Sequence, residues 1–284
     1  MNRGIPQSEN AATQTPKAAA DGERGQISAR AAEVYEDFFV PALFAEWAPR
    51  VADAARIRAG HKVLDVACGT GVLARTLARR VGTLGSVTGF DINPGMLAVA
   101  KRKAPDITWR QGRAEAVPFD NDSFDAVVSQ FGLMFFVDRR AALAEMYRVL
   151  RPGGRLAVAV WNAVDKSPGY AAMVKLLQEL FGDRLADALR APFVLGDTKV
   201  LRSLFVDAGI GDAQIATQEG TARFDSIRSW VYTDIKGWTL ADMIDDRQFE
   251  LLLREAERVL RPFVTANGAV AFAASAHIVT AAKP

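Results

Sequence analysis

Val63-Leu64-Asp65-Val66-Ala67-Cys68-Gly69-Thr70-Gly71 ends an apolar run on a turn that holds two glycines. The turn passes straight into residues 72–81, where Leu73, Leu77 and Val81 recur at helical spacing. Strand, tight turn and helix in that order open a βαβ unit. Gly69 and Gly71 remove side chains where backbone must approach a ligand and take unusual dihedrals. Outward from this point short apolar runs keep alternating with amphipathic stretches. The first strand covers 62–67, and a second at 86–91 leads to a helix over 94–103 with Pro94 in its first turn. A third strand takes 107–111. The fourth, 124–129, is continuously apolar, as a central strand would be. Asp138 is placed to cap a helix running to Leu150, and Pro152-Gly153-Gly154 then turns the chain into a fifth strand at 155–161. The pattern predicts an α/β fold: a Rossmann-like, doubly wound, seven-stranded sheet, mostly parallel, with an antiparallel last strand and helical lid insertions.

The flanks read differently. Residues 1–27 hold almost no large apolar groups and cannot bury enough surface to offset their ordering entropy, so a flexible tail is expected there. Residues 31–51 are helical and aromatic, interrupted by Pro41. In the last third, helices are expected at 171–180, 185–189 and 200–208, with one strand over 213–224 and another over 269–280. The chain is therefore expected to form a single domain over 28–284, with helical insertions at about 164–208 and 225–267 that cover a substrate.

Bulk properties narrow the function. The formal charge of the 284 residues is +2, and the arginines are scattered rather than gathered into a stripe, which disfavours nucleic acid as a partner. Cys68 is the only cysteine, so no disulfide framework exists and a cytoplasmic setting is expected. No run approaches the roughly 18 apolar residues of a membrane span, and no metal is expected. The expected partner is a small molecule; a homodimer stays open.

Asp91 ends the second strand, twenty residues beyond Gly71, where a carboxylate accepts hydrogen bonds from ribose hydroxyls. Gly69 to Ala74 also fits the dinucleotide pattern G-x-G-x-x-A, so a nicotinamide-dependent oxidoreductase is a competing reading. Asp65 weighs against it. Its negative charge would repel a pyrophosphate but favours the ammonium and sulfonium of S-adenosylmethionine.

Four blocks in order carry a resemblance: 63–71, 89–96 (Gly-Phe-Asp-Ile-Asn-Pro-Gly-Met), 111–119 (Gln-Gly-Arg-Ala-Glu-Ala-Val-Pro-Phe) and 148–154 (Arg-Val-Leu-Arg-Pro-Gly-Gly). With them the chain resembles a class I S-adenosylmethionine-dependent methyltransferase, similar to the ubiquinone/menaquinone-biosynthesis (methyltransferase type 11) branch. The likeness covers residues 60–161. It implies that Asp65, Ala67, Gly69, Thr70 and Gly71 line the methionine end of the cofactor. Asp91 would hold the ribose, with Ile92 and Met96 beside the adenine and Arg113, Ala114 and Glu115 at its edge. Gln130 would face cofactor and substrate. Many relatives carry an acid where Arg113 stands; arginine cannot accept a hydrogen bond, so adenine must be read by backbone near Ala114, or Arg113 points away.

Machinery for the chemistry is sparse. Methyl transfer is an in-line displacement that positioning can accelerate, and a base is needed only if the nucleophile must lose a proton. His61 precedes the first strand and His277 lies in the last, both away from the turn, and no Asn/Asp-Pro-Pro-Tyr/Phe run follows strand four. Gln130, Asn162, Asp165 and Asp234 are the polar candidates for orienting or catalytic work. Tyr35, Phe39, Phe131, Phe135, Trp161, Tyr170, Trp230, Tyr232 and Trp238 are the candidate pocket wall. They suit transfer to O or C of a small hydrophobic or aromatic metabolite. A methyltransferase-like regulatory or partner protein without turnover remains a third reading, since no base is evident.

Overall fold

The structure, a computed structural model, describes residues 29–284 apart from 238, 239, 241 and 242; the expected tail and Trp238 lie outside the described residues. The chain enters through α1 (Ala29–Val34), a π-helical segment (Tyr35–Phe44) and α2 (Trp47–Ala54). Then come β1 (Lys62–Val66), α3 (Val72–Val81), β2 (Ser86–Asp91), α4 (Pro94–Lys103), β3 (Thr108–Gln111), β4 (Phe124–Gln130), α5 (Arg139–Arg148) and β5 (Leu150–Trp161). Helices α6 (Pro168–Phe181), α7 (Asp183–Arg190) and α8 (Thr198–Asp207) lead to β6 (Gln214–Gln218) and β7 (Thr221–Phe224). Helices α9 (Ile227–Lys236) and α10 (Asp246–Val259) precede β8 (Val270–Ala273) and β9 (Ala276–Ala282).

Seven strands form one sheet in the order β3-β2-β1-β4-β5-β9-β6. Neighbours from β3 to β5 run parallel, while β9 is antiparallel to both β5 and β6. The doubly wound sheet with its antiparallel last strand is therefore present, and that last strand lies one place in from the edge. The strand order reverses between β1 and β4, so their C-terminal ends open a crevice there, the usual ligand position in such sheets. Val63, Leu64, Val66, Val127, Val128 and residues 156–160 are fully buried, which is why these strands read as unbroken apolar runs.

Local chemistry fixes the helix starts around the crevice. Asn93 caps α4 by accepting from the Met96 N–H at 3.0 Å, and Asp138 caps α5 by accepting from Ala141 at 2.9 Å. In the π-helical segment the Ala45 N–H reaches back five residues to the Val40 carbonyl at 2.8 Å, with Pro41 inside.

Two expectations need correction. The single strands expected over 213–224 and 269–280 are each split in two, at Glu219–Gly220 and at Ala274–Ser275. β6 and β9 belong to the large sheet, whereas β7 and β8 pair as a separate two-stranded sheet. The break sits where Gly220 presses on the Trp47 ring: a Cβ there would lie 2.4 Å from it. The turn expected at Pro152-Gly153-Gly154 lies within β5 instead, because Gly153 and Gly154 exchange backbone bonds with Lys283 beyond the end of β9. Among the described residues no helix is long and apolar enough to cross a membrane.

Candidate active site

The glycine turn after β1 is held by the acid that ends β2. Asp91 Oδ2 accepts the Gly69 N–H at 2.8 Å, and Oδ1 accepts the Asn93 N–H at 2.8 Å. Gly69 and Gly71 both have positive φ, and a Cβ on Gly71 would come within 2.4 Å of the Trp109 ring. That ring is anchored, since its Nε1 donates to the Ala104 carbonyl at 2.9 Å. Alanine at 71 would therefore be strained in the left-handed region and would displace Trp109. Gly71→Ala is expected to cost about 1–3 kcal/mol of stability in chemical denaturation; an unchanged midpoint would show the Trp109 wall to be yielding.

Two non-glycine residues also take left-handed backbone: Ala67 (φ 57°) after β1 and Phe131 (φ 56°) after β4. They end the adjacent strands at the reversal point, where such strain marks a functional crevice. Gly132 follows because its Cβ would stand 2.4 Å from the Ala67 Cβ.

Asp65 lies beneath the turn, 1 % exposed, and neither carboxylate oxygen has a hydrogen bond of ordinary geometry; the Ala74 N–H is the backbone group that acts on it. Burial, with Asp91 adding repulsion, pushes its carboxyl well above the usual carboxylate range. Burial raises Asp91 as well, held back by the N–H groups of Asn93, Gly69 and Ile92. Two buried acids thus share one crevice with no basic side chain acting on either, an arrangement that calls for a cation. Burial and the same two acids push the Cys68 thiol up, so it is no nucleophile.

Three cavities flank this centre. One, about 280 Å³, is lined by Tyr35, Asp65, Ala67, Cys68, Gly69, Thr70, Val72, Leu73 and Gln130. A second, about 440 Å³, runs from Asp91 and Ile92 past Gly112, Arg113, Ala114 and Glu115 to Phe135, Phe136 and Val137. Ala67 borders both. The expected cofactor residues are thereby brought together, with two exceptions. Gly71 lies behind the turn against Trp109 and lines neither cavity. Met96 packs against Ala32 and Val99 beneath α4 and lines neither cavity.

Arg113 borders the second cavity, but its guanidinium turns to Glu115 at 3.4 Å. Glu115 in turn accepts the Val137 N–H at 3.0 Å, closing that wall. Gln130 donates its Nε2 to the Phe44 carbonyl at 3.1 Å, while its Oε1 is buried with no partner at the first cavity.

The third cavity, about 370 Å³, is apolar: Phe39, Leu43, Phe44, Trp161, Tyr170, Leu189, Pro192 and Phe193, with Asp234. Phe44 forms its border with the first, stacking on Tyr35 at 5.1 Å and meeting Phe131 and Trp161 near 6 Å. Phe131 and Trp161 are themselves face to face at 3.8 Å. Of the expected wall, Phe39, Trp161 and Tyr170 line this space, Tyr35 lines the first cavity and Phe135 the second. Phe131 stands behind Trp161. Trp230 is fully buried among Phe224, Phe263 and Phe272, and Tyr232 packs on Phe38, so neither is wall.

The polar candidates separate cleanly. Asn162 is a loop fastener, donating to Ser275 Oγ at 3.0 Å and accepting the Ala163 N–H at 2.8 Å. Asp165 is exposed beside Lys166. Asp234 is 2 % exposed and reaches the apolar cavity. His277 bonds Thr217 and the Gly196 carbonyl through its two ring nitrogens, leaving it no catalytic valence. Leu189, Pro192 and Phe193 carry no local signal that would mark them as wall, because the bend that brings them inward is tertiary.

The residues fit S-adenosylmethionine. The orphaned Asp65 oxygens stand where an ammonium or sulfonium would compensate them, and the glycines leave backbone open beside them. A pyrophosphate would add charge of the wrong sign to two buried acids, which disposes of the dinucleotide reading.

Comparison with known proteins agrees. A family model described as a methyltransferase domain matches residues 63–154. The chain is 34 % identical over 188 residues to the demethylmenaquinone methyltransferase of Staphylococcus epidermidis, covering 61 % of this chain and 78 % of that protein. It is 45 % identical over 118 residues to a ubiquinone/menaquinone biosynthesis C-methyltransferase of Psychromonas ingrahamii, covering 39 % and 47 %. In fold it is similar to the Haemonchus contortus phosphoethanolamine N-methyltransferase 2 solved with S-adenosyl-L-methionine, at TM-score 0.60 and 17 % identity, covering 92 % of this chain and 59 % of that one. With its sheet, its acid-lined glycine turn and these relatives, the chain belongs to the S-adenosylmethionine-dependent methyltransferases, in the family of the quinone-biosynthesis enzymes.

Proposed function

We propose that this methyltransferase acts on a flat, apolar ring compound of the quinone type, held in the cavity between Phe44, Trp161 and Phe193. The apolar cavity is the observation that carries this reading: it adjoins the cofactor crevice, is walled by aromatic side chains, and offers little to a phosphate or a sugar. The names of the two curated relatives, which act in menaquinone and ubiquinone synthesis, favour the same substrate class. Helical segments 164–208 and 225–267 supply Tyr170, Leu189, Pro192, Phe193 and Asp234, and serve as its cover.

For the cofactor, Asp65, Ala67, Gly69, Thr70 and Gly71 surround the methionine end, and Asp91 takes the ribose hydroxyls on lone pairs left by its two backbone bonds. Ile92, Ala114 and Glu115 border the adenine, with Glu115 and backbone groups as the acceptors that Arg113 is unable to be. When bound, the cofactor supplies an electrophilic methyl group. The chain's own part is to hold the acids that balance its charge, exclude water with Tyr35, Phe44 and Phe135, and fix the acceptor by stacking on Trp161. Gln130 ties this wall to β4, so its amide sets where Phe44 stands between the two cavities.

Reduced naphthoquinones, mixed with the full chain and S-adenosylmethionine, are expected to yield S-adenosylhomocysteine, whereas phosphoethanolamine is not. Trp161→Ala is expected to raise the acceptor KM about tenfold while leaving the cofactor KM in place, since stacking and burial of one ring face contribute about 1–2 kcal/mol. A larger shift in the cofactor KM than in the acceptor KM would remove the cavity from the acceptor's path.

A further inference from the structure

The apolar cavity contains one ionisable carboxyl. Asp234, on α9, is 2 % exposed and lines a space otherwise bounded by Phe39, Leu43, Phe44, Trp161, Tyr170, Leu189, Pro192 and Phe193. Tyr170, from α6, donates its hydroxyl to Asp234 Oδ1 at 3.4 Å. Oδ2 is buried and has no hydrogen bond of ordinary geometry; the Trp230 indole, one helical turn earlier, is a polar neighbour of the carboxyl. A carboxyl set in an apolar chamber is costly unless something pairs with it. Within the described residues, neither the core of the domain nor the two-stranded sheet gives Oδ2 that partner.

We propose that Asp234, braced by Tyr170, is the specificity-determining residue of the acceptor cavity and hydrogen-bonds an oxygen carried on the apolar ring. The proposal rests on the reading of that cavity as the acceptor's. Because Tyr170 already donates to Oδ1, the proton of the neutral carboxyl falls to Oδ2, the oxygen with no hydrogen bond of ordinary geometry, as the donor for a ring bound in the cavity. The partner is therefore an acceptor oxygen, a ring carbonyl or hydroxyl, and an unsubstituted ring leaves Oδ2 unpaired.

Burial pushes the Asp234 carboxyl up to about 8, with the Trp230 indole and Tyr170 hydroxyl pulling the other way. Tyr170 is itself raised by burial and by Asp234, so it stays a donor throughout. The π-helical segment, β5 and Leu189, Pro192 and Phe193 turn apolar side chains to the cavity, and Arg190 is held outside it by Asp187 and Gln178. Tyr170 is the titratable group that faces Asp234. Below about pH 8 the donor is present; above it the donor is gone and a buried charge replaces it.

The test uses 1-tetralone, a bicyclic ketone whose oxygen only accepts, and tetralin, the same rings without oxygen. Both are titrated by ligand-observed NMR against the full chain loaded with S-adenosylhomocysteine. Wild type is expected to favour the ketone about tenfold at neutral pH. That preference fades as pH rises through about 8. Asp234→Leu binds both rings equally. Asp234→Asn, which keeps a donor that does not titrate, retains the preference with a flat pH profile. Tetralin binding by both variants, and its loss in Trp161→Ala, reports a folded cavity. A ketone preference that survives in Asp234→Leu, or that is absent from wild type while tetralin still binds, overturns the assignment and leaves the cavity reading standing. Failure of both rings to bind wild type overturns the cavity reading and the assignment with it.

Discussion

Asp91→Ala lowers S-adenosylmethionine affinity by a factor of about 10 to 150, the 1.5–3 kcal/mol of a hydrogen bond to a charged group. The geometry pushes the expectation toward the upper end. Asp91 accepts from Gly69 and from Asn93, so it holds the glycine turn in place as well as facing the ribose. Removing it frees two backbone N–H groups and loosens the turn at the same stroke. Asp91→Asn keeps one acceptor and is expected to lose less than alanine does. Calorimetry gives both affinities directly, with thermal unfolding of the ligand-free variants as the control for folding. An alanine variant that binds as tightly as wild type would take Asp91 out of the cofactor site altogether.

The second large effect has opposite signs in two measurements. Asp65→Asn is expected to stabilise the ligand-free chain and weaken its hold on S-adenosylmethionine about 10- to 100-fold. Asp65 is buried, its oxygens lack a hydrogen bond of ordinary geometry, and Asp91 repels it, with only the Ala74 N–H pulling the other way. Its folded pKa is raised above the unfolded value, so it adds stability that is complete below about pH 4 and is lost as pH climbs through the folded value. Asp91, raised in the same direction, adds to the loss. The ligand-free protein is therefore expected to become less stable from mildly acidic pH upward, and the asparagine variant to show a shallower fall. A bound sulfonium and ammonium reverse the balance by favouring the ionised form. Thermal melts across pH, with and without cofactor, read both signs; an asparagine variant destabilised without ligand would mean that Asp65 has a structural partner.

Much of this was legible because period and punctuation survive in the primary structure. The run 63–71 and the helix after it, the caps Asn93 and Asp138, and the spacing to Asp91 are local features, and local features can be read. What escaped was tertiary. The splitting of 213–224 depends on Gly220 meeting Trp47, more than 170 residues earlier in the chain. Met96 follows the helical stripe into a small cluster with Ala32, which nothing in its own segment announces. Asp234 is the single acid of an amphipathic helix, and in the sequence Asn162 and Asp165 read equally well beside it. Burial alone separates them, and burial belongs to the fold.

The same logic explains the missing base. A displacement at an activated methyl group requires alignment first, and the aromatic border of Tyr35, Phe44, Phe131 and Trp161 is a device for alignment. His61 and His277, the two histidines of the chain, stand outside it.

A buried, unbalanced acid pair makes this crevice a site for a cationic cofactor. Calorimetric titration of S-adenosylmethionine in two buffers of different ionisation enthalpy measures it most directly. Binding is expected to release protons as Asp65 ionises against the incoming charge, and Asp65→Asn to abolish that release along with most of the affinity. Binding without proton release, at an affinity the asparagine variant shares, would contradict it.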